Sequence, residues 1–313
     1  MNSITIIDYM MALGIGIVTT SMCIPLIIKI SKKNNFFDKN DQRKIHLGTV
    51  PHFGGIALFI GFFLSQTFLM LEFPQYRNQI IGYNYILLSS IIIFILGFID
   101  DLVDLNSLLK FAVQLVVAFI TVYKGGVAIT SFSGLLGIYD LNIYFSYVLS
   151  ILIVVFFINS FNLIDGIDTL CAAISIYSII IFMMIFNFNN LYSEIMIAVS
   201  LLGSLIAFIY FNLMPRTIFL GDSGALLIGY IISIFVILSC NLPIDMAGTK
   251  SPVFIISIVV YPVVDTLRVF LIRVFNKVPP FRADRNHIHH VIVDSGFSHK
   301  QTSLILLSIS III

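Results

Sequence analysis

The chain has 313 residues, 59% hydrophobic and 11% charged, with 17 basic residues against 16 acidic and a formal charge of +1. A soluble domain carries about 25% charged residues, so a soluble globular fold is excluded, and the near-neutral balance leaves no electrostatic footprint for nucleic acid. Cys23, Cys171 and Cys240 lie inside apolar runs without paired spacing or histidine neighbours, and read as small buried hydrophobes.

A helix that crosses a bilayer needs about 20 apolar residues. In chain order, the apolar runs predict spans over 5–28, 52–71, 83–99, 107–123, 143–158, 169–187, 191–211, 218–240 and 252–275. The first run lacks a basic leader and is long enough to span, which makes it an anchor rather than a cleaved signal. A tenth run begins near residue 302 and is cut off at Ile313, so the chain is expected to be truncated at its carboxyl terminus. The expected fold class is an all-α polytopic integral membrane protein, with about nine complete transmembrane helices plus a truncated tenth. No second domain is visible, and residues 1–313 form a single multi-spanning domain.

With the amino terminus outside, fourteen Lys and Arg residues fall on the inner side, against Arg77, Lys124 and Lys250 on the outer. The positive-inside rule therefore puts the amino terminus outside and the loops 29–51, 100–110, 159–168, 212–217 and 276–301 in the cytoplasm. This orientation uses no motif, yet it gathers Asp100, Asp101, Asp104, Asp165, Asp168 and Asp222 on one face. A carboxylate near hydrocarbon costs about 2.5–3.5 kcal/mol at a helix centre. Six of them at the ends of apolar runs call for a cation, and a cation among carboxylates suggests a phosphate substrate.

Four constellations carry this chemistry. Asp100-Asp101-Leu-Val-Asp104 joins the third and fourth runs; adjacent carboxylates repel, so a metal, a basic group or a raised pKa must hold them together. Capping of the fourth helix needs only one of the three. In Asn159-Ser-Phe-Asn162-Leu-Ile-Asp165-Gly166-Ile-Asp168, amides and carboxylates recur at a three-residue step, and Gly166 permits close approach of backbone to a ligand. A plain polar turn is the simpler alternative. Phe219-Leu-Gly221-Asp222-Ser223-Gly224 opens the eighth run, where free N–H groups at a helix start favour phosphate. Arg282-Ala-Asp284-Arg285-Asn-His287-Ile-His289-His290 is a phosphate-binding set, with neither CxxC nor HExxH to indicate zinc. The first inner loop adds Arg43-Lys44-Ile-His46, and Asp265 with Arg268 reads as an ion pair inside the ninth run rather than as a catalytic group.

Taken together, the stretches RKIHLGTVPHFGG, DDLVDL, NSFNLIDGIDTL, FLGDSGA, PVVDTLRVFLIR and FRADRNHIHH resemble, in order, the motifs of the polyprenyl-phosphate N-acetylhexosamine-1-phosphate transferases, glycosyltransferase family 4. The resemblance covers residues 43–290 and is nearest to the undecaprenyl-phosphate N-acetylglucosamine branch, through RKIHLGTVP and HIHH. It implies a multi-pass enzyme of the bacterial plasma membrane with its active site facing the cytoplasm. Such an enzyme moves a sugar-1-phosphate from a UDP-sugar to undecaprenyl phosphate and releases UMP, the first membrane step of a cell-envelope polysaccharide. Its cofactor is Mg²⁺, with Mn²⁺ as an alternative, and a homodimer is compatible with it.

Carried over by position, the resemblance makes Asp222 and Asn162 metal ligands and Asp100, Asp101 and Asp165 catalytic. Asn212, Phe219, Asp168, His46, Arg282, His287, His289 and His290 become substrate contacts. Thr169 departs from the glycine usual after the last aspartate, and Ala225 from the usual serine. The lipid substrate needs an apolar groove, which a bend of the ninth helix near Pro262 would help to form. Muramoyl-pentapeptide-1-phosphate transfer is the alternative within the family. An ion-coupled transporter is the alternative outside it, although a transporter places its carboxylates near the midplane.

Overall fold

The computed structural model describes residues 5–34, 50–74, 82–214, 217–242, 251–277 and 286–313. The chain is helical throughout these segments apart from connecting turns and one isolated β-bridge, Ser131 with Asp140. The long helices are α1 (Ile6–Asn34), α2 (Gly54–Glu72), α3 (Tyr83–Val103), α4 (Ser107–Phe119, prolonged by a π-turn Ile120–Lys124), α5 (Ile143–Ile164), α6 (Leu170–Phe188), α7 (Tyr192–Asn212) and α8 (Gly221–Cys240). After these come α9 (Pro252–Ile258), α10 (Val260–Phe275), α11 (Ile288–Asp294) and α12 (His299–Ile312).

Among the described residues, eight helices are long and apolar enough to cross a membrane, or nine if α9 and α10 count as one broken span. The expected ninth helix is indeed interrupted: α9 and α10 meet at 89°. The break falls at Val259, so Pro262 sits in the first turn of α10, where its missing N–H costs no helical hydrogen bond.

Helix α8 is the axis of the bundle. Its apolar window is buried along its whole length, whereas that of α1 is only 22% buried. Helix α8 is packed by α3, α5, α2 and α6. Small residues let the backbones close up: Gly224 meets Gly55 of α2, Ser223 meets Gly97 of α3, and Gly229 backs onto the Phe157 carbonyl of α5. Hydroxyls add cross-links within the apolar layer. Ser65 donates to the Ala12 carbonyl at 2.7 Å, and Thr121 Oγ1 lies 2.9 Å from Tyr230 Oη. Such interhelical bonds average about 0.6 kcal/mol in a membrane.

The up-and-down order decides where the chemistry sits. The carboxyl ends of α3, α5 and α7 and the amino ends of α2, α4, α6, α8 and α12 lie at the same end of the bundle. Two helices extend past their apolar runs: α3 reaches Val103 and α5 reaches Ile164, so Asp100, Asp101, Asn159 and Asn162 stand on helix rather than in loops.

Candidate active site

The aspartate pair on α3 is held apart by direction. Asp100 Oδ2 lies 2.6 Å from Lys110 Nζ on α4, and its Oδ1 accepts the Leu105 N–H at 2.7 Å. Asp101 turns toward α8, where Oδ1 accepts the Asp222 N–H at 2.7 Å and Oδ2 the Ser223 N–H at 3.1 Å. Repulsion between the two is thus offset by a lysine on one side and a helix amino terminus on the other. Asp104 makes none of these hydrogen bonds: it is exposed and forms the left-handed C-cap of α3, with φ 54°.

Capping is therefore real, but not where the sequence suggests. Asn106 caps α4 through the Leu108 N–H, while Asp101 caps the distant α8. This corrects the expectation that the first amides of α8 stand free for phosphate, because Asp101 already occupies two of them. Gly221 makes the approach possible. Its φ of +76° suits glycine, and a Cβ there would meet the His52 carbonyl and lie 2.9 Å from either Asp101 carboxylate oxygen.

Asp222 is the hub of the cluster. Its Oδ1 accepts Asn162 Nδ2 from α5 at 2.7 Å, and its Oδ2 lies 3.7 Å from Lys110 Nζ. Asn159, one turn earlier, faces α4 and exchanges amide hydrogen bonds with Gln114, the shorter being 2.6 Å. Among the described residues, no three His, Cys, Asp or Glu side chains group closely enough to hold a metal by themselves.

The loop after α5 joins this cluster to a second layer. Burial, with Asp222 and Asp101 close by, pushes the Asp165 carboxyl well above the usual carboxylate range, although a hydrogen bond from the Gly221 backbone pulls it down. Gly166 does permit a close approach, but to a side chain: a Cβ there would lie 2.5 Å from His289 Nε2. Asp168 lies with Oδ2 3.2 Å from His299 Nδ1.

Several expected substrate contacts are committed internally. Asn212 is buried and spends both ends of its amide on backbone, accepting the Thr169 N–H and donating to the Ile218 carbonyl, each at 2.7 Å. It ties two motif loops together. Phe219 is half-buried with its ring 4.9 Å from that of His52, and its backbone pairs with Pro51 and Gly54. The first-loop and FLGDSGA motifs are thus zipped together.

The histidines divide as well. Asp265, fully buried, accepts His287 Nδ1 at 2.8 Å and the Ile288 N–H at 2.9 Å, while Arg268 lies 3.9 Å from its carboxylate and donates to the Asn286 carbonyl. The ion pair with Arg268 is present, but His287 is its nearer partner. His289 is also fully buried, with Nδ1 3.3 Å from Tyr261 Oη. Burial and the neighbouring His290 and His287 push it down to about 3. His289 therefore backs the 165–168 loop at Gly166, and only His290 of the three is part-exposed. His46 and Arg282 lie outside the described residues. Sequence reasoning missed Lys110, Gln114, His299 and Ser303; Lys110 alone carried a signal, as a lone cation six residues after three aspartates.

Over 308 residues the chain is 29% identical to the probable undecaprenyl-phosphate N-acetylglucosaminyl 1-phosphate transferase of Bacillus subtilis, covering 98% of this chain and 83% of that protein. It is 27% identical to the undecaprenyl-phosphate alpha-N-acetylglucosaminyl 1-phosphate transferases of Yersinia pestis, covering 89% of this chain and 75% of that one, and of Escherichia coli K12, covering 89% and 74%. Residues 83–240, which hold Asp100, Asp101, Asn162, Asp165, Asp168 and Asp222, match the family Glycosyl transferase family 4. With just over half its length matched, the chain belongs to glycosyl transferase family 4.

Proposed function

We propose that the protein transfers N-acetylglucosamine 1-phosphate from UDP-N-acetylglucosamine to undecaprenyl phosphate, releasing UMP, at the cytoplasmic face of a bacterial plasma membrane. One observation carries the proposal: Asp100, Lys110, Asn162 and Asp222, from four different helices, converge through contacts of 2.6, 2.7 and 3.7 Å at one end of an apolar bundle. The N-acetylglucosaminyl activity named for the relatives supports the sugar.

An oxygen of the lipid phosphate forms a bond to the β-phosphorus of the donor, and the bond from that phosphorus to the bridging oxygen breaks, so the electron pair leaves with UMP. A phosphate monoester has a second pKa of about 6, so the nucleophile needs orientation more than deprotonation. Lys110 supplies a cation for it, and Asp100 holds that cation in place. Asp101, with both oxygens on α8, fixes Asp222 rather than acting as a free base.

The residues fit Mg²⁺. Asp222 and the amide oxygen of Asn162 offer two hard oxygen donors, and Mg²⁺ usually takes one or two such ligands and completes its shell with water and substrate phosphates. Bound there, the ion would neutralise the diphosphate and stabilise charge on the leaving phosphate. Asp265, the ionisable group inside the ninth apolar run, is tied to His287 and Arg268, which speaks against an ion path.

The test is transfer of labelled sugar into the lipid phase by purified protein given undecaprenyl phosphate and a panel of UDP-sugars. Transfer from UDP-N-acetylglucosamine supports the proposal. Transfer only from UDP-muramoyl-pentapeptide would replace the sugar, and no transfer from any donor would overturn the function.

A further inference from the structure

Helix α12 carries none of the motifs, yet it holds the corner on which Asp168 stands. His299, in its first turn, grips the Asp168 side chain at 3.2 Å. One turn on, the buried Ser303 donates to the Asp168 carbonyl at 2.8 Å. A single helix thus fixes both the carboxylate and the backbone of one residue. The helix start is itself ordered by a capping box between Ser298 and Gln301, and α12 packs along α6.

The corner is also strained. Thr169 has φ +68°, a left-handed conformation that a β-branched residue rarely adopts. Strained backbone persists only where its surroundings over-determine it. Here Asn212 takes the Thr169 N–H on one side, and Ser303 takes the preceding carbonyl on the other. Where a glycine would turn freely, this chain has a threonine and two struts.

We propose that His299 and Ser303 are positioning residues for the sugar-nucleotide donor, holding the Asp168–Thr169 corner in the form that admits it. The proposal rests on the proposed transfer and on Asp168, a substrate contact by the family resemblance, meeting the donor. Loosening the corner should weaken donor binding while leaving the carboxylate cluster around Asp222 in place.

Full-length protein carrying His299→Ala, His299→Asn or Ser303→Ala is the material for the test. His299→Ala should raise KM for UDP-N-acetylglucosamine about tenfold, with kcat and the KM for undecaprenyl phosphate within about twofold. His299→Asn, which restores a donor at the Nδ1 position, should recover most of the loss, and Ser303→Ala should raise the same KM. Amide hydrogen exchange over residues 165–170, read without substrate, should quicken in both alanine variants. An unchanged donor KM, or a fall in kcat that asparagine does not rescue, would overturn the proposal. Should even the wild-type protein release no UMP, the donor role fails, and the exchange measurement alone decides whether α12 holds the corner.

Discussion

Asp101 and Asp222 are 121 positions apart in sequence, yet the carboxylate of the first accepts the backbone N–H of the second at 2.7 Å. The aspartate that caps α8 thereby sets the position of the aspartate that α8 presents. Replacing Asp101 by Ala should cost about 1–2 kcal/mol, as for loss of an N-cap. Asp101→Asn, which keeps one acceptor, should melt nearer to wild type. Activity should fall in both, because each lets the first turn of α8 shift, and thermal melts beside UMP release check the two effects separately.

Lys110 is the cation that lets Asp100 and Asp222 stand close. Its side chain is 25% exposed while that of Asp100 is 2% exposed, so its removal strands a buried carboxylate. Lys110→Met should destabilise the protein by about 3 kcal/mol and lower kcat by about a hundredfold. Lys110→Arg should recover the stability more fully than the rate, since a planar fork does not replace a compact ammonium. Melting temperature and steady-state rates on the same preparations test this.

Thr169→Gly should raise the melting temperature. Relief of the left-handed strain is worth about 1–2 kcal/mol, and the extra chain entropy of glycine offsets about 0.5–1 kcal/mol of it. An unchanged or lower melting temperature would mean that the threonine side chain contributes packing that outweighs its strain.

His289 makes stability depend on pH. Folded, it is pushed down to about 3 from an ordinary 6.5, so between these values the unfolded chain takes up a proton that the folded one refuses. Its share of stability is complete above pH 6.5 and is lost as the pH falls toward 3. Melting temperatures from pH 7.5 down to 5 should fall less steeply in His289→Gln than in wild type.

The spans and the gathering of carboxylates were legible because hydropathy and the count of basic residues are one-dimensional signals. The broken ninth helix was legible through Pro262. Other features have no such signature. A helix that faces lipid and one that faces protein are equally apolar, so the central place of α8 could not be read from its residues. Asp265 was legible as a paired charge, but its nearer partner His287 is 22 residues away and no periodicity links them. Asn212 and the buried histidines show the same limit in reverse. Their positions in the motifs suggested substrate contacts, whereas Asn212 bonds the backbone of two motif loops and His287 and His289 meet Asp265 and Tyr261 of α10. His299 and Ser303 stood in what read as an inner loop and a short apolar run.

The central claim is that Asp222, steadied by Asn162, Asp101 and Lys110, anchors the transfer site. Its most direct test is UMP release from UDP-N-acetylglucosamine and undecaprenyl phosphate, with Mg²⁺ or EDTA, by wild-type protein and Asp222→Ala. The account predicts Mg²⁺-dependent release by the wild type that is abolished by EDTA and lost in a folded Asp222→Ala. Release that persists in that variant, or that EDTA leaves unchanged, would contradict it.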